Sequence, residues 1–119
     1  MAVYFLACPY SHPDKNIVES RFDSCTLAAT KMSLAGFPVY SQITISHPIN
    51  LSLAKNMPGE KLDWAPLDKA FMDKCDEIII LELDGWKESG GVQREIDYFK
   101  DRGSKVWLFS DFEKEMLNK

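Results

Sequence analysis

Apolar and polar positions along the chain fall into alternating strand-like and helix-like blocks. Residues 2–7 form one unbroken apolar run, as a strand buried on both faces should, and Pro9 stops it. Ser11-His12-Pro13-Asp14 then reads as a helix entry, with a capping hydroxyl and an acid three residues on. Val18, Phe22, Cys25, Ala29 and Met32 recur at helical spacing, and Gly36 supplies the C-terminal stop. A short second strand is predicted at 37–41. The stretch 42–60 carries two prolines, many polar residues and weak periodicity, so it is predicted irregular, with a helical turn at 51–55. An irregular segment this long in a small domain is often functional. Residues 62–75 predict a helix with Trp64, Leu67, Phe71 and Cys75 on one side and Pro66 in its first turn, where proline is tolerated. The β-branched run within 77–83 predicts the central strand. After a turn at Asp84-Gly85-Trp86, Ser89-Gly90-Gly91 opens a helix carrying Val92, Ile96 and Phe99, closed by Gly103. Residues 105–109 give the last strand and 111–118 a terminal amphipathic helix. Such alternation implies an α/β fold with a mainly parallel sheet of four or five strands.

The 119 residues fit one domain spanning 1–119, and a composition of 45% hydrophobic and 12% aromatic residues is that of a globular chain. Fourteen basic against 18 acidic residues give a net charge of −4, which argues against a nucleic-acid polymer as partner. A small anion remains possible, because a few backbone amides can hold one phosphate. No stretch approaches the roughly 20 apolar residues of a membrane span. The apolar start lacks a basic leader, so it reads as a strand rather than a signal peptide. Three widely spaced cysteines (Cys8, Cys25, Cys75) suit free thiols in a reducing cytoplasm better than a disulfide or zinc framework. Two histidines, His12 and His47, are too few for a metal site without carboxylate partners.

In open α/β sheets, ligands bind beyond the carboxyl ends of the strands. The loops expected there are 8–12, 41–47, 84–91 and the Ser110 region. The strongest local signal is Ser89-Gly90-Gly91-Val92-Gln93-Arg94-Glu95. Two glycines permit close approach to the backbone, and a helix N-terminus favours an anion. Glu95 is spaced to share a face with Val92 and Phe99, and a carboxylate near a helix N-terminus is expected to stay ionised. The same segment also reads as a plain turn, with Glu95 capping its helix or pairing with Arg94 or Lys61. It is neither a dinucleotide fingerprint nor a Walker A loop. Asp68 borders the aromatic face of the 62–75 helix, looking either into a pocket or toward Lys69 and Lys74. Asp84 ends the central strand at the ligand edge, though aspartate is also an ordinary turn residue. Pro9, Tyr10 and His47 sit in ligand-edge loops as candidate substrate contacts. Tyr4, inside a buried strand, needs a hydrogen-bond partner, and a nearby carboxylate would serve. Trp86 suits a base-stacking surface or a lid over the core equally well.

Taken in order, these residues resemble a known family. Tyr4-Phe5-Leu6-Ala7-Cys8-Pro9-Tyr10 resembles the opening strand and loop of the nucleoside 2-deoxyribosyltransferase-like superfamily. Residues 67–76 with the strand 77–83 look like its acidic helix and central strand, and Ser89 to Ile96 looks like its nucleophile motif. Within that superfamily the chain is most similar to the short DUF1937-type bacterial and phage proteins, through Pro-Tyr-Ser-His-Pro near the start and Ser-His-Pro-Ile at 46–49. The resemblance implies a flavodoxin-like (Rossmann-like) three-layer fold and cleavage of a nucleoside or nucleotide N-glycosidic bond. It makes Glu95 the nucleophile, Tyr4 its hydrogen-bonded orienting partner, and Asp68 the group that contacts or protonates the leaving base. Neither a metal nor another cofactor is implied. Serine at 89, where free-nucleoside transferases carry aspartate, resembles the branch acting on nucleoside 5′-monophosphates, with Gly90 and Gly91 amides holding the phosphate. Glu88 or Asp84 are the alternative acids. A homodimer or larger assembly is implied as well. The rivals are a nucleotide-sensing module without turnover and a phage protein that binds a host partner.

Overall fold

The computed structural model describes residues 1–118. Its order is β1 (Tyr4–Ala7), α1 (Lys15–Leu34), β2 (Val39–Ser41), α2 (Gln42–Asn56), α3 (Trp64–Met72), β3 (Glu77–Ile80), α4 (Gly90–Asp101), β4 (Val106–Leu108) and α5 (Phe109–Phe112), ending in a π-helical turn at Glu113–Leu117. The four strands form one all-parallel sheet in the order β2-β1-β3-β4. This is a flavodoxin-like order, in which the chain reverses direction across the sheet between β1 and β3.

Alternation along the buried strands divides the core in two. Tyr4, Leu6 and Ile79 face a layer made by Cys25, Ala28 and Met32 of α1 and by Phe109 and Phe112 of α5. Phe5, Ala7, Ile78 and Ile80 face Met72 of α3 and Val92, Ile96 and Phe99 of α4. The expected three layers are therefore present. The predicted entry to α1 shifts: Asp14, not Ser11, is the N-cap, accepting from the Asn16 amide at 2.8 Å.

The largest departure from the sequence reading is α2. Residues predicted irregular continue directly from β2 as a 15-residue helix that includes Pro48. It packs on α1 and on the end of β1, so it stands over the carboxyl edge of the sheet. Cross-ties fix the rest of that edge. Arg21 of α1 donates from Nη1 to the Ser11 carbonyl and from Nη2 to the Asp84 carbonyl, both at 3.0 Å. It thus staples the loop after β1 to the loop after β3. Gly85, at φ +90°, makes room for this staple, since a Cβ there would stand 3.1 Å from Arg21 Nη2.

Candidate functional site

At the point where the chain reverses across the sheet lies a cavity of about 640 Å³, within the usual size range for a small-molecule site. Five segments wall it: Cys8 to Ser11 after β1, Arg21 of α1, the inner face of α2, the start of α3, and the stretch from Gly85 to Glu95 leading into α4.

The α4 wall carries the signal read from sequence. Ser89 is the helix N-cap, its hydroxyl accepting from the Val92 amide at 3.3 Å. Gly90 and Gly91 follow in the first turn and line the cavity. The Arg94 guanidinium folds back over this turn, so that a Cβ on Gly90 would meet Nη1 at 3.1 Å. Arg94 and Arg21 both line the cavity. The start of α4 therefore combines backbone amides, the positive end of a helix and the Arg94 guanidinium, all favourable to an anion, while the Arg21 guanidinium is held by the Ser11 and Asp84 carbonyls.

Glu95 also lines the cavity. It is half-buried. Burial, reinforced by the neighbouring Asp68 charge and only partly offset by Arg94, pushes its pKa up to about 8. The expectation of a readily ionised carboxylate is corrected here. Glu95 lies a turn and a half inside α4, beyond the first turn over which the helix dipole acts, so desolvation dominates. Asp68 of α3 faces the same space and accepts from Gln42 Nε2 at 3.2 and 3.3 Å. Burial raises its pKa, and the Gln42 bonds oppose that rise. With both carboxyls facing one low-dielectric pocket, ionisation of Asp68 opposes ionisation of Glu95, so the two titrations are linked.

Tyr4 does not join them. It lies on the opposite face of β1, edge-on to Phe37 and Phe112, and at the amino end of the strand. Four residues of strand separate it from Cys8, a run of roughly 13 Å. The expected Tyr4–Glu95 hydrogen bond is not formed. Asp84 is also misplaced by the sequence reading: its side chain is exposed, it does not line the cavity, and only its carbonyl takes part, through Arg21. Pro9 and Tyr10 line the cavity as expected. His47 does not reach it. The imidazole is buried behind Tyr10, with Nδ1 2.6 Å from the Tyr10 hydroxyl oxygen. His12 is exposed and accepts from the Asp14 amide, a turn contact. Trp86 packs against the α4-side core, a lid rather than a wall of this cavity. Cys8 lines the cavity floor, but its hydrogen bond with Cys25 and its burial raise its pKa and hold it as a thiol, which removes it as a competing nucleophile.

Sequence reasoning missed the α2 wall. Gln42, Ser46 and Asn50 lie at i, i+4 and i+8 and all line the cavity, so they form a polar stripe on one helix face. Asn50 accepts from Trp64 Nε1 at 2.9 Å, which fixes the indole against the same wall. That polar spacing was the available signal, and a search for apolar periodicity passes over it.

Residues 2–111 match the model of a family described as "Domain of unknown function (DUF1937)". No curated protein matches the chain.

Proposed function

We propose, from the premise that the chain belongs to the DUF1937 family, that it is an N-glycosidic-bond enzyme of the nucleoside 2-deoxyribosyltransferase-like superfamily. Its substrate class is a (deoxy)ribonucleoside or, better suited to the site, a nucleoside 5′-monophosphate. The observation that carries this reading is the Glu95–Asp68 carboxylate pair enclosed in one cavity with a cationic, amide-rich rim. In the first step a Glu95 oxygen bonds to the anomeric carbon as the carbon–nitrogen bond breaks. The electron pair leaves with the base, which takes a proton retained by the Glu95–Asp68 pair, delivered through Asp68. A developing oxocarbenium charge beside Glu95 favours its ionised form and moves that proton toward Asp68. Water, or a second base, then displaces the carboxylate, giving hydrolysis or transfer. Ser89, Gly90, Gly91 and Arg94 hold the 5′-phosphate; Trp64, Asn50 and Gln42 line the base end.

The test is chromatographic detection of free base after incubation with a panel of nucleosides and their 5′-monophosphates. Glu95→Gln is expected to lower base release by about a thousandfold or more. Undiminished release in that variant refutes the assignment. The second reading is a nucleotide-binding module without turnover. It is favoured by one observation: among the described residues no side chain donates a hydrogen bond to Glu95 to keep it ionised. Thermal protection by nucleotide with no base released selects it.

The reading includes a homodimer or larger assembly. Ile45 and Ile49 on α2 and Leu67 and Phe71 on α3 leave apolar surface exposed on the two helices that wall the cavity. Light scattering at the single-chain mass across concentrations removes that part. A reducing compartment such as the cytoplasm fits the three unpaired, buried thiols.

A further inference from the structure

Behind the Tyr10 wall of the cavity runs a hydrogen-bonded chain that the proposed chemistry does not yet use. The Tyr10 hydroxyl oxygen lies 2.6 Å from His47 Nδ1, and His47 Nε2 lies 2.7 Å from Glu19 Oε2. The imidazole is almost wholly buried, while the Glu19 side chain is 55% exposed. Phe22, with its ring centroid 4.6 Å from that of His47, walls the histidine on a further side. The chain therefore joins the hydroxyl of a cavity-lining tyrosine to the exposed Glu19 side chain through one desolvated imidazole.

The donors can be assigned from chemistry. A carboxylate only accepts, so the proton of the neutral imidazole sits on Nε2, facing Glu19. Nδ1 is then an acceptor, and Tyr10 donates its O–H inward. The phenol oxygen is left with lone pairs and no proton for any other partner. When the imidazole gains a second proton, Nδ1–H donates to the Tyr10 oxygen instead. A proton taken up by the Tyr10 oxygen thus displaces one toward Glu19, after which the ring resets its tautomer.

We propose that Glu19, His47 and Tyr10 form a proton relay for the second half-reaction, with Tyr10 as its terminal base. This rests on the reading of Glu95 as a nucleophile. A water O–H bond breaks as its oxygen bonds to the anomeric carbon of the sugar ester on Glu95. The ester carbon–oxygen bond breaks and its electron pair returns to the Glu95 carboxylate. The water proton goes to the Tyr10 oxygen while the Tyr10 proton moves to His47 Nδ1. The resulting imidazolium is balanced by Glu19 and passes its Nε2 proton through that carboxylate to solvent, and the Nδ1–H tautomer left behind returns to the Nε2–H form before the next turnover. Tyr10 is the catalytic residue of this step, and His47 and Glu19 are positioning residues.

The experiment is pre-steady-state base release from a panel of nucleoside 5′-monophosphates, with intact-protein mass spectrometry. Tyr10→Phe and His47→Gln are expected to release about one equivalent of base per site in a burst. Steady-state turnover then falls by about a hundredfold, within the usual range for loss of a general base, and a glycosyl adduct accumulates on Glu95. Glu19→Gln, at an exposed position, keeps the fold and gives a smaller fall of the same kind. A merely structural role would lower stability without separating burst from turnover. Base release by the wild type with unchanged turnover and no adduct in Tyr10→Phe overturns the relay and leaves the Glu95 reading standing. No base release by the wild type overturns both. Nitrogen-15 shifts of His47 placing the neutral proton on Nδ1 overturn the relay whatever the activity.

Discussion

Glu95 shows how one residue can be read correctly for place and wrongly for state. Its spacing from Val92 and Phe99 directs it inward, and it does line the cavity. Its ionisation depends on what surrounds it in three dimensions, above all on burial and on Asp68 from another helix, neither of which is legible in a local motif. Two outcomes follow from its raised pKa. In the folded state Glu95 keeps its proton up to about pH 8, whereas an unfolded glutamate loses it near pH 4.3. Between those values the folded chain binds more protons than the unfolded one, so stability falls as pH rises, by up to about 1.4 kcal/mol per pH unit. Glu95→Gln removes that dependence. Urea unfolding is expected to show variant and wild type diverging from pH 5 to pH 8, with the variant the more stable at the alkaline end. Parallel curves would mean that Glu95 is not desolvated. The catalytic counterpart has the same sign. The Glu95–Asp68 pair must retain one proton for the leaving base, so kcat/KM is expected to drop about tenfold per unit above pH 8.

At the scale of elements, the start of α4 has two roles that one substitution separates. Ser89 caps the helix through the Val92 amide and is one of the proposed phosphate contacts. Aspartate is an equally good N-cap, and its charge suits a helix N-terminus. Ser89→Asp should therefore leave the melting temperature unchanged or slightly raised. Its carboxylate would repel a phosphate, so affinity for a nucleoside 5′-monophosphate should fall more than tenfold while that for the parent nucleoside holds. Calorimetric titration of both ligands decides it, and equal losses would place the anion elsewhere. The contrast between α4 and α2 explains what was legible. In α4 the apolar residues Val92, Ile96 and Phe99 face the core, so periodicity finds the helix and the glycines mark its start. In α2 the inward stripe of Gln42, Ser46 and Asn50 faces the cavity, and Pro48 interrupts the pattern further. A helix that lines a polar site has no apolar stripe to detect. The same polarity that hid α2 makes it part of the site.

Across the whole molecule, the sheet acts as a partition. On the α1/α5 side, Tyr4, Phe37, Trp107 and Phe112 pack edge to face in an aromatic cluster. The proposed chemistry lies at the carboxyl edge, between α2, α3 and α4. The final segment seals the first of these regions, since Phe112 is wholly buried beneath Tyr4. Phe112→Ala should cost about 3–5 kcal/mol, a large part of the 5–15 kcal/mol typical of a domain. The urea midpoint would move sharply, while kcat/KM per folded molecule would not. Tyr4→Phe tests the partition from the other direction. The tyrosine ring packs in the core, and its hydroxyl is near Glu77 and Asp76 rather than Glu95. Removing that oxygen leaves the ring contacts in place, so turnover should stay within about twofold of the wild type and the pH profile should not move. A tenfold fall would mean that the tyrosine of the opening strand reaches the carboxylate pair during turnover, and that the sheet does not separate the two regions when the substrate is bound.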